Sequence, residues 1–347
     1  MTREQRKTTL VTGAGGFIGG FLCKRLIDEG FSVKALTMPE ESADHLERMG
    51  CSIFRGDLTK TDSIRGICDG VETVYHLAAR VTYWGTRKDF YDAIYEATKH
   101  LLEESSGSGP RFLLASSVVA VGLGRKHLNG YGETDPTQKV GIFYGDAKLD
   151  AEKLLWRYHE DGKITGTVIR PTNVIGPGSV WVRDAVEALK RPFFPLVDGG
   201  RWSASLVYVE NLVDAFFLAG TKDEAKGQTY HVMDDYDVTF RQYFSHIAEF
   251  MGKPITRTTF LPIPFGVAWP LAGLIGGASS IFGMKASLTR HNVAMMGRNN
   301  DLDTSKARRE LGWKTRVPYD EAKERIREWM KQAGLAGAGA GSGRPLI

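Results

Sequence analysis

Short apolar runs alternate with helix-patterned stretches over the first half of the chain. Thr8–Thr12 (TTLVT) is β-prone and leads into glycine-rich sequence. Behind it FLCKRLIDEG spaces its apolar residues as a helix does, with Gly30 placed to cap the end. SVKALT reads as a second strand, Cys51–Leu58 as a third and Val71–Ala79 as a fourth. A helical segment ends near LLEES, and Arg111–Ser116 gives a fifth strand. Ala147–Glu160 is helical, and TGTVIRPTNV is a sixth strand. Strands this apolar, separated by helices, predict an α/β fold: a doubly wound parallel sheet flanked by helices on both faces.

Beyond Pro171 the rhythm changes, and proline and glycine become common, as in GPGS and RPFFPLVDGG. The expected organisation is a core over residues 1–175, substrate loops over 176–203 and a segment returning to the core over 204–232. A smaller, mostly helical substrate-binding region follows over 233–332, ending in SKARRELGW and the helix Tyr319–Lys331, with a flexible tail over 333–347. Specificity is expected in this irregular half, whose loops must close over the carboxyl ends of the strands.

With 347 residues the chain can bury a large α/β core and still carry a second region. Its 45 basic and 41 acidic side chains leave a formal charge of only +4, and no Lys/Arg run is interleaved with aromatics, so no nucleic-acid partner is expected. Cys23, Cys51 and Cys68 are scattered and lack metal-like spacing, which argues for a reducing compartment. The first residues hold no apolar signal-peptide core, so a cytoplasmic protein is expected. One segment complicates that picture. Thr258–Met284 contains no Asp, Glu, Lys or Arg. Three readings stand: an apolar wall of a substrate pocket, a surface lying on a membrane, or a span. Pro262, Pro264, Pro270 and the Gly276–Gly277 pair weaken a regular buried helix, and the pocket wall is preferred.

In TGAGGFIGG, Gly13 permits a tight turn after the first strand, Gly16 lets backbone approach a pyrophosphate, and Gly19 lets the following helix pack on the sheet. The phosphates then meet unpaired N–H groups at a helix N-terminus. Asp57 follows the third strand, where it can accept from an adenine amino group; a solvated turn aspartate is the bland alternative. His76 and Ala78–Ala79 end the fourth strand, where small residues let the chain pass near a cofactor and the histidine is read as structural. Phe17, Ile18, Thr37, Leu58, Leu77 and Pro171 complete the candidate cofactor contacts. An acid at the end of the second strand selects NAD and an arginine there selects NADP. Here stand Thr37–Met38–Pro39, with Glu40 and Glu41 slightly late and no cation near the turn, so NAD is preferred and NADP is left open.

In YGDAK, Tyr144 and Lys148 lie four apart on one side of a helix. An ammonium and an oxidised nicotinamide beside a phenol favour phenolate and bring it into working range as a proton-transfer group. Lys148 can also reach ribose hydroxyls. Ser117, after the fifth strand, can donate to the reacting oxygen. No metal-ligand spacing accompanies these residues.

These elements resemble the extended short-chain dehydrogenase/reductase superfamily, of the NAD-dependent epimerase/dehydratase type. The resemblance rests on TGAGGFIG, Gly56–Asp57, His76–Ala79, Ser116–Ser117, YGDAK, RPTNVIGPG, SLVYVENLVDAFFLA and LDTSKARRELGW, in that order. It implies an extended Rossmann fold whose catalytic residues are Ser117, Tyr144 and Lys148 and whose cofactor positions include Gly13, Gly16, Gly19 and Asp57. AARVTYWGTRKDFY and the apolar segment before SLTRHNV look most like the 3β-hydroxysteroid dehydrogenase/isomerase and dihydroflavonol-reductase-like branches. The expected activity is interconversion of a secondary alcohol and a ketone on a bulky hydrophobic substrate, a sterol, steroid or lipid-derived β-hydroxy compound. The alternative is a nucleotide-sugar epimerase or dehydratase with tightly held NAD, for which Arg183, Arg191 and Arg201 offer cations; a catalytically idle Rossmann binding protein is a distant third. A homodimer through paired helices is in keeping with the class. Ile94 stands where relatives carry asparagine, which should alter side-chain hydrogen bonding near the sheet.

Overall fold

The computed structural model describes residues 7–337 apart from 83, 125, 256–258 and 283–287. At its centre lies a seven-stranded parallel sheet: β1 (Thr8–Thr12), β2 (Ser32–Thr37), β3 (Ser52–Arg55), β4 (Thr73–His76), β5 (Arg111–Ala115), β6 (Thr165–Pro171) and β7 (Gln228–Val232). The order across it is β7-β6-β5-β4-β1-β2-β3. The chain therefore runs outward from β1 to β3 and then crosses back to lay β4 on the other side of β1. That reversal opens a crevice at the carboxyl ends of β1 and β4.

The longer helices are α1 (Phe17–Asp28), α2 (Ala97–Ser105), α3 (Phe143–Glu160), α4 (Val180–Leu189), α5 (Val209–Thr221), α6 (Phe240–Phe250), α7 (Phe265–Phe282), α8 (Arg290–Met296) and α9 (Tyr319–Gln332). Strand alternation feeds two cores. Val11, Leu113 and Ile169 point to one, with Leu22 and Leu26 of α1 and Phe216 of α5. Leu10, Phe112, Leu114 and Val168 point to the other, with Leu101 of α2 and Ala147, Ala151 and Leu154 of α3. Burying each large side chain contributes roughly 1.5–3 kcal/mol, which is why these strands are apolar on both faces. At the end of α1, Gly30 has φ +86° and its N–H bonds to the Ile27 carbonyl at 2.9 Å, the cap expected there.

Several expectations shift in detail. The third and fourth strands pair only over Ser52–Arg55 and Thr73–His76, shorter than their apolar runs. The sixth divides. β6 stops at Pro171, and Asn173–Ile175 peels away to pair with Leu206–Tyr208. The segment returning to the core supplies a true seventh strand, β7, beside β6. Thr258–Met284 is regular over its described residues, because α7 runs through Pro270. The i−4 carbonyl that Pro270 leaves unpaired belongs to exposed Gly266, where water can take it. Among the described residues no helix is long and apolar enough to cross a membrane. Positions 258, 283, 284 and 338–347, parts of the apolar segment and of the tail, lie outside the described residues.

Candidate active site

The glycine-rich turn is built by close approach. Gly13 has φ +66°, and a Cβ there would stand 2.9 Å from the Ala78 nitrogen; one on Gly19 would stand 2.1 Å from the Gly13 carbonyl oxygen. Only glycine lets β1, β4 and α1 converge so tightly. α1 opens at Gly16 with no side-chain cap and no acid in its first turn, so its first N–H groups face the crevice unpaired. Thr12 Oγ1 accepts from the Ala78 N–H at 3.1 Å and meets His76 Nδ1 at 2.8 Å; His76 Nε2 meets Thr98 Oγ1 at 3.0 Å. Thr98 gives its own proton to the Ile94 carbonyl, so it accepts from His76, which is the Nε2–H tautomer. Burial, then the Lys148 charge, push His76 down to about 3. It is a neutral brace, as its structural reading requires. Ile94 itself is packed into the core within widened π-type turns over Tyr91–Glu96, so apolar packing stands where a side-chain amide was expected.

Ser117, Tyr144 and Lys148 line one cavity of about 450 Å³ together with Gly13, Gly16, Phe17, Ile18, Gly19, Leu77, Ala78, Ala79 and Pro171. Thus the turn and the candidate catalytic residues, far apart in sequence, share a cleft. Gly145 makes this possible: a Cβ there would lie 2.6 Å from the Val119 carbonyl, so α3 can press against the turn after Ser117. Asp146 accepts from the N–H groups of Val140 and Gly141 at 3.0 and 3.1 Å and fixes the approach to α3. Lys148 is buried and donates to the Ala115 carbonyl at 2.5 Å. Burial draws its pKa down to about 8 against the opposing pull of Glu152.

Burial pushes Tyr144 up to about 12, and the Ser117 hydrogen bond partly offsets this. The resting group is therefore a protonated phenol, suited to giving a proton.

Thr37, Asp57 and Leu58 lie at the carboxyl ends of β2 and β3, outside the lining of that cavity. Asp57 Oδ1 accepts from Thr59 N and Oγ1 at 2.9 and 2.7 Å; burial opposes its ionisation, but these bonds and Lys60 hold its carboxyl below the usual range. Thr37 Oγ1 is buried without a partner. Two groups appear here that the sequence reading did not place. Glu41 folds back over the glycine turn, its Oε1 only 2.2 Å from where a Gly15 Cβ would be. A cation does stand at the β2 turn, contrary to expectation: strand register sets Arg55 beside Thr37, and its Nη1 donates to the Pro39 and Glu41 carbonyls at 3.0 and 2.8 Å. An orphan hydroxyl, an uncapped helix start and a cradle that any Cβ would fill together fit a dinucleotide.

The described part of Phe260–Phe282 does not line the cleft, which corrects the pocket-wall reading. The apolar wall comes instead from Val81, Val180, Trp181 and Met295, with the His291 ring of α8 tilted at 42° to the Tyr144 ring, centroids 5.6 Å apart. A second cavity of about 330 Å³ shares Val81, Val180, Trp181 and Met295 with the first and continues to Phe194, Phe244 and Leu288. Burial holds His291 down at about 4, so it too is neutral. SLTRHNV carries no spacing that announces this contact. Beneath the site a buried network joins α3 to β6: Arg170 Nη2 donates to Glu152 Oε2 at 2.6 Å, and Ser116 bonds the same carboxylate.

A dinucleotide-binding sheet with a serine, tyrosine and lysine on its crevice defines an extended short-chain dehydrogenase/reductase. The chain belongs to the NAD dependent epimerase/dehydratase family, whose model matches residues 9–232. It is similar to a 4-hydroxy-2-methyl-3-oxo-4-farnesyl-3,4-dihydroquinoline-1-oxide ketoreductase of Stigmatella aurantiaca, 28% identical over 96% of this chain and 98% of that protein. A decarboxylating sterol-4-alpha-carboxylate 3-dehydrogenase of Mus musculus is 25% identical over 93% of this chain and 90% of its own. A solved UDP-glucose 4-epimerase of Thermotoga maritima shares the fold, with TM-score 0.74 and 22% identity over 94% of this chain and 99% of that one. The protein is thus an NAD-dependent enzyme of this family.

Proposed function

We propose that the protein reduces a ketone to a secondary alcohol on a bulky hydrophobic substrate, with NADH preferred over NADPH. The observation that carries this reading is that Ser117, Tyr144 and Lys148 share one cleft with an apolar wall of Val81, Val180, Trp181 and Met295. When bound, the nicotinamide supplies the hydride at its C4. Tyr144 gives its phenolic proton to the substrate oxygen as the carbonyl carbon is reduced, Ser117 Oγ–H holds that oxygen, and the Lys148 ammonium supplies positive potential beside the developing charge. Val81, Val180, Trp181 and Met295 exclude water and fit a polycyclic or prenylated body, which extends into the adjoining cavity. The quinoline-oxide ketoreductase and the sterol dehydrogenase, named for such compounds, support a sterol, steroid or lipid-derived β-keto substrate.

A sugar nucleotide is disfavoured by charge. Of the three arginines offered for its diphosphate, neither Arg183 nor Arg201 lines either cavity, while Arg191 shares its cavity wall with Asp184 and Glu187. Steady-state assays with steroid ketones, β-keto esters of long alcohols and UDP-sugars decide it. NADH oxidation with the apolar ketones is the expected result; turnover of UDP-sugars alone would sink the proposal.

Cofactor choice rests on Glu41. Its carboxylate over the glycine turn is placed to accept from ribose hydroxyls and to repel a 2′-phosphate, whereas Arg55 is already engaged by carbonyls. Glu41→Ser is expected to weaken NADH binding about tenfold and to narrow the NADH/NADPH gap, since a hydrogen bond to a charged group contributes roughly 1.5–3 kcal/mol. Fluorescence titration reads both affinities directly. An unchanged ratio would remove Glu41 from the argument.

A further inference from the structure

α7 leaves an apolar stripe in water. Val267, Leu271 and Leu274 follow at helical spacing and are 56%, 40% and 74% exposed, and Leu261 of the preceding strand is 48% exposed. The helix covers the core with its other side, through Ala268 and Ala272. Three guanidinium groups flank the segment: Arg241 over Phe260 at 5.3 Å, Arg298 over Phe265 at 3.2 Å and Arg290 over Trp269 at 5.6 Å. Among the described residues none of the three forms a salt bridge within 4.0 Å; each lies against one of these rings. Asp198, the nearby acid, accepts from the Phe265 N–H at 2.9 Å and faces Arg201 at 3.8 Å, with a side chain only 14% exposed; its charge also acts on Arg298, leaving Arg241 and Arg290 as the freer cations.

We propose that this face docks on the surface of a membrane containing anionic lipid, with Val267, Leu271 and Leu274 in the acyl boundary and Arg241, Arg290 and Arg298 at the headgroups. Apolar side chains beside three cations that lack a salt-bridge partner, with no acid anywhere in 258–284, complement such a surface. A second copy of the chain does not. A two-fold contact through the stripe would bring two faces of the same positive sign together. The docked helix packs on α8, whose His291 and Met295 line the cleft, so a membrane-dissolved substrate would meet the cleft close to the bilayer.

Flotation of the full-length protein with phosphatidylcholine vesicles, with and without phosphatidylglycerol, tests the docking separately from the substrate. Binding to the anionic vesicles is expected to be at least about tenfold tighter than to the neutral ones and to weaken with salt. Leu271→Glu with Leu274→Glu should abolish flotation, and Arg290→Gln with Arg298→Gln should erase the lipid preference, with NADH titration unchanged in each as proof of folding. No flotation with anionic vesicles overturns the proposal. So does flotation that the glutamates leave intact, or a concentration-dependent dimer that the glutamates dissociate while vesicles go unbound.

Discussion

Replacing Tyr144 with phenylalanine is expected to lower kcat for ketone reduction by roughly 10²- to 10⁴-fold, the usual contribution of a positioned general acid. NADH affinity should stay within about twofold, because the ring keeps its packing against Phe90 and His291. The neighbouring groups cannot take over. His291, held down at about 4, is neutral, and a neutral imidazole N–H is a far weaker acid than a phenol. The pH profile carries a second signature. Tyr144, pushed up to about 12, keeps its proton through the physiological range, whereas Lys148, drawn down to about 8, loses its charge first. The value of kcat/KM for reduction should therefore be flat at neutral pH and fall above about pH 8, as the ammonium beside the developing charge is neutralised. A Tyr144→Phe enzyme within tenfold of the parent would mean that the proton comes from elsewhere.

What could be read from the sequence was what spacing alone encodes. Gly13, Gly16 and Gly19 specify a turn within one loop, and Tyr144 with Lys148 specifies one helical face; both constraints are local. The parallel sheet followed from strands apolar on both sides. Contacts made by sheet order were not legible. Arg55 reaches the β2 turn only because β3 pairs with β2 in a register that sets it opposite Thr37. Glu41 meets Gly15 only because the β2 loop folds back over the turn after β1. β7 was hidden by its polar start, Gln228–Thr229, at the sheet edge. The long apolar segment misled for a related reason: hydrophobicity says that a helix avoids water, yet not whether a cleft, a core or a bilayer receives it.

The buried Glu152–Arg170 pair was equally invisible, and it should dominate stability near the site. Their side chains are 2% and 6% exposed, so Arg170→Met would strand a carboxylate in the interior with Ser116 as its remaining hydrogen-bond partner among the described residues and the Lys148 charge as partial compensation. Breaking such a pair costs about 3–5 kcal/mol, because the remaining charge must be neutralised or dragged into water. Urea denaturation of Arg170→Met should register a loss of that size. The double variant Glu152→Gln/Arg170→Met should recover most of it, since no uncompensated charge remains. Activity then separates structure from electrostatics. Glu152 lies one turn beyond Lys148 and raises its pKa, so Glu152→Gln should move the alkaline fall in kcat/KM to lower pH at unchanged NADH affinity. If the double variant were as unstable as Arg170→Met alone, packing of the arginine stem, not charge pairing, would be what ties α3 to β6.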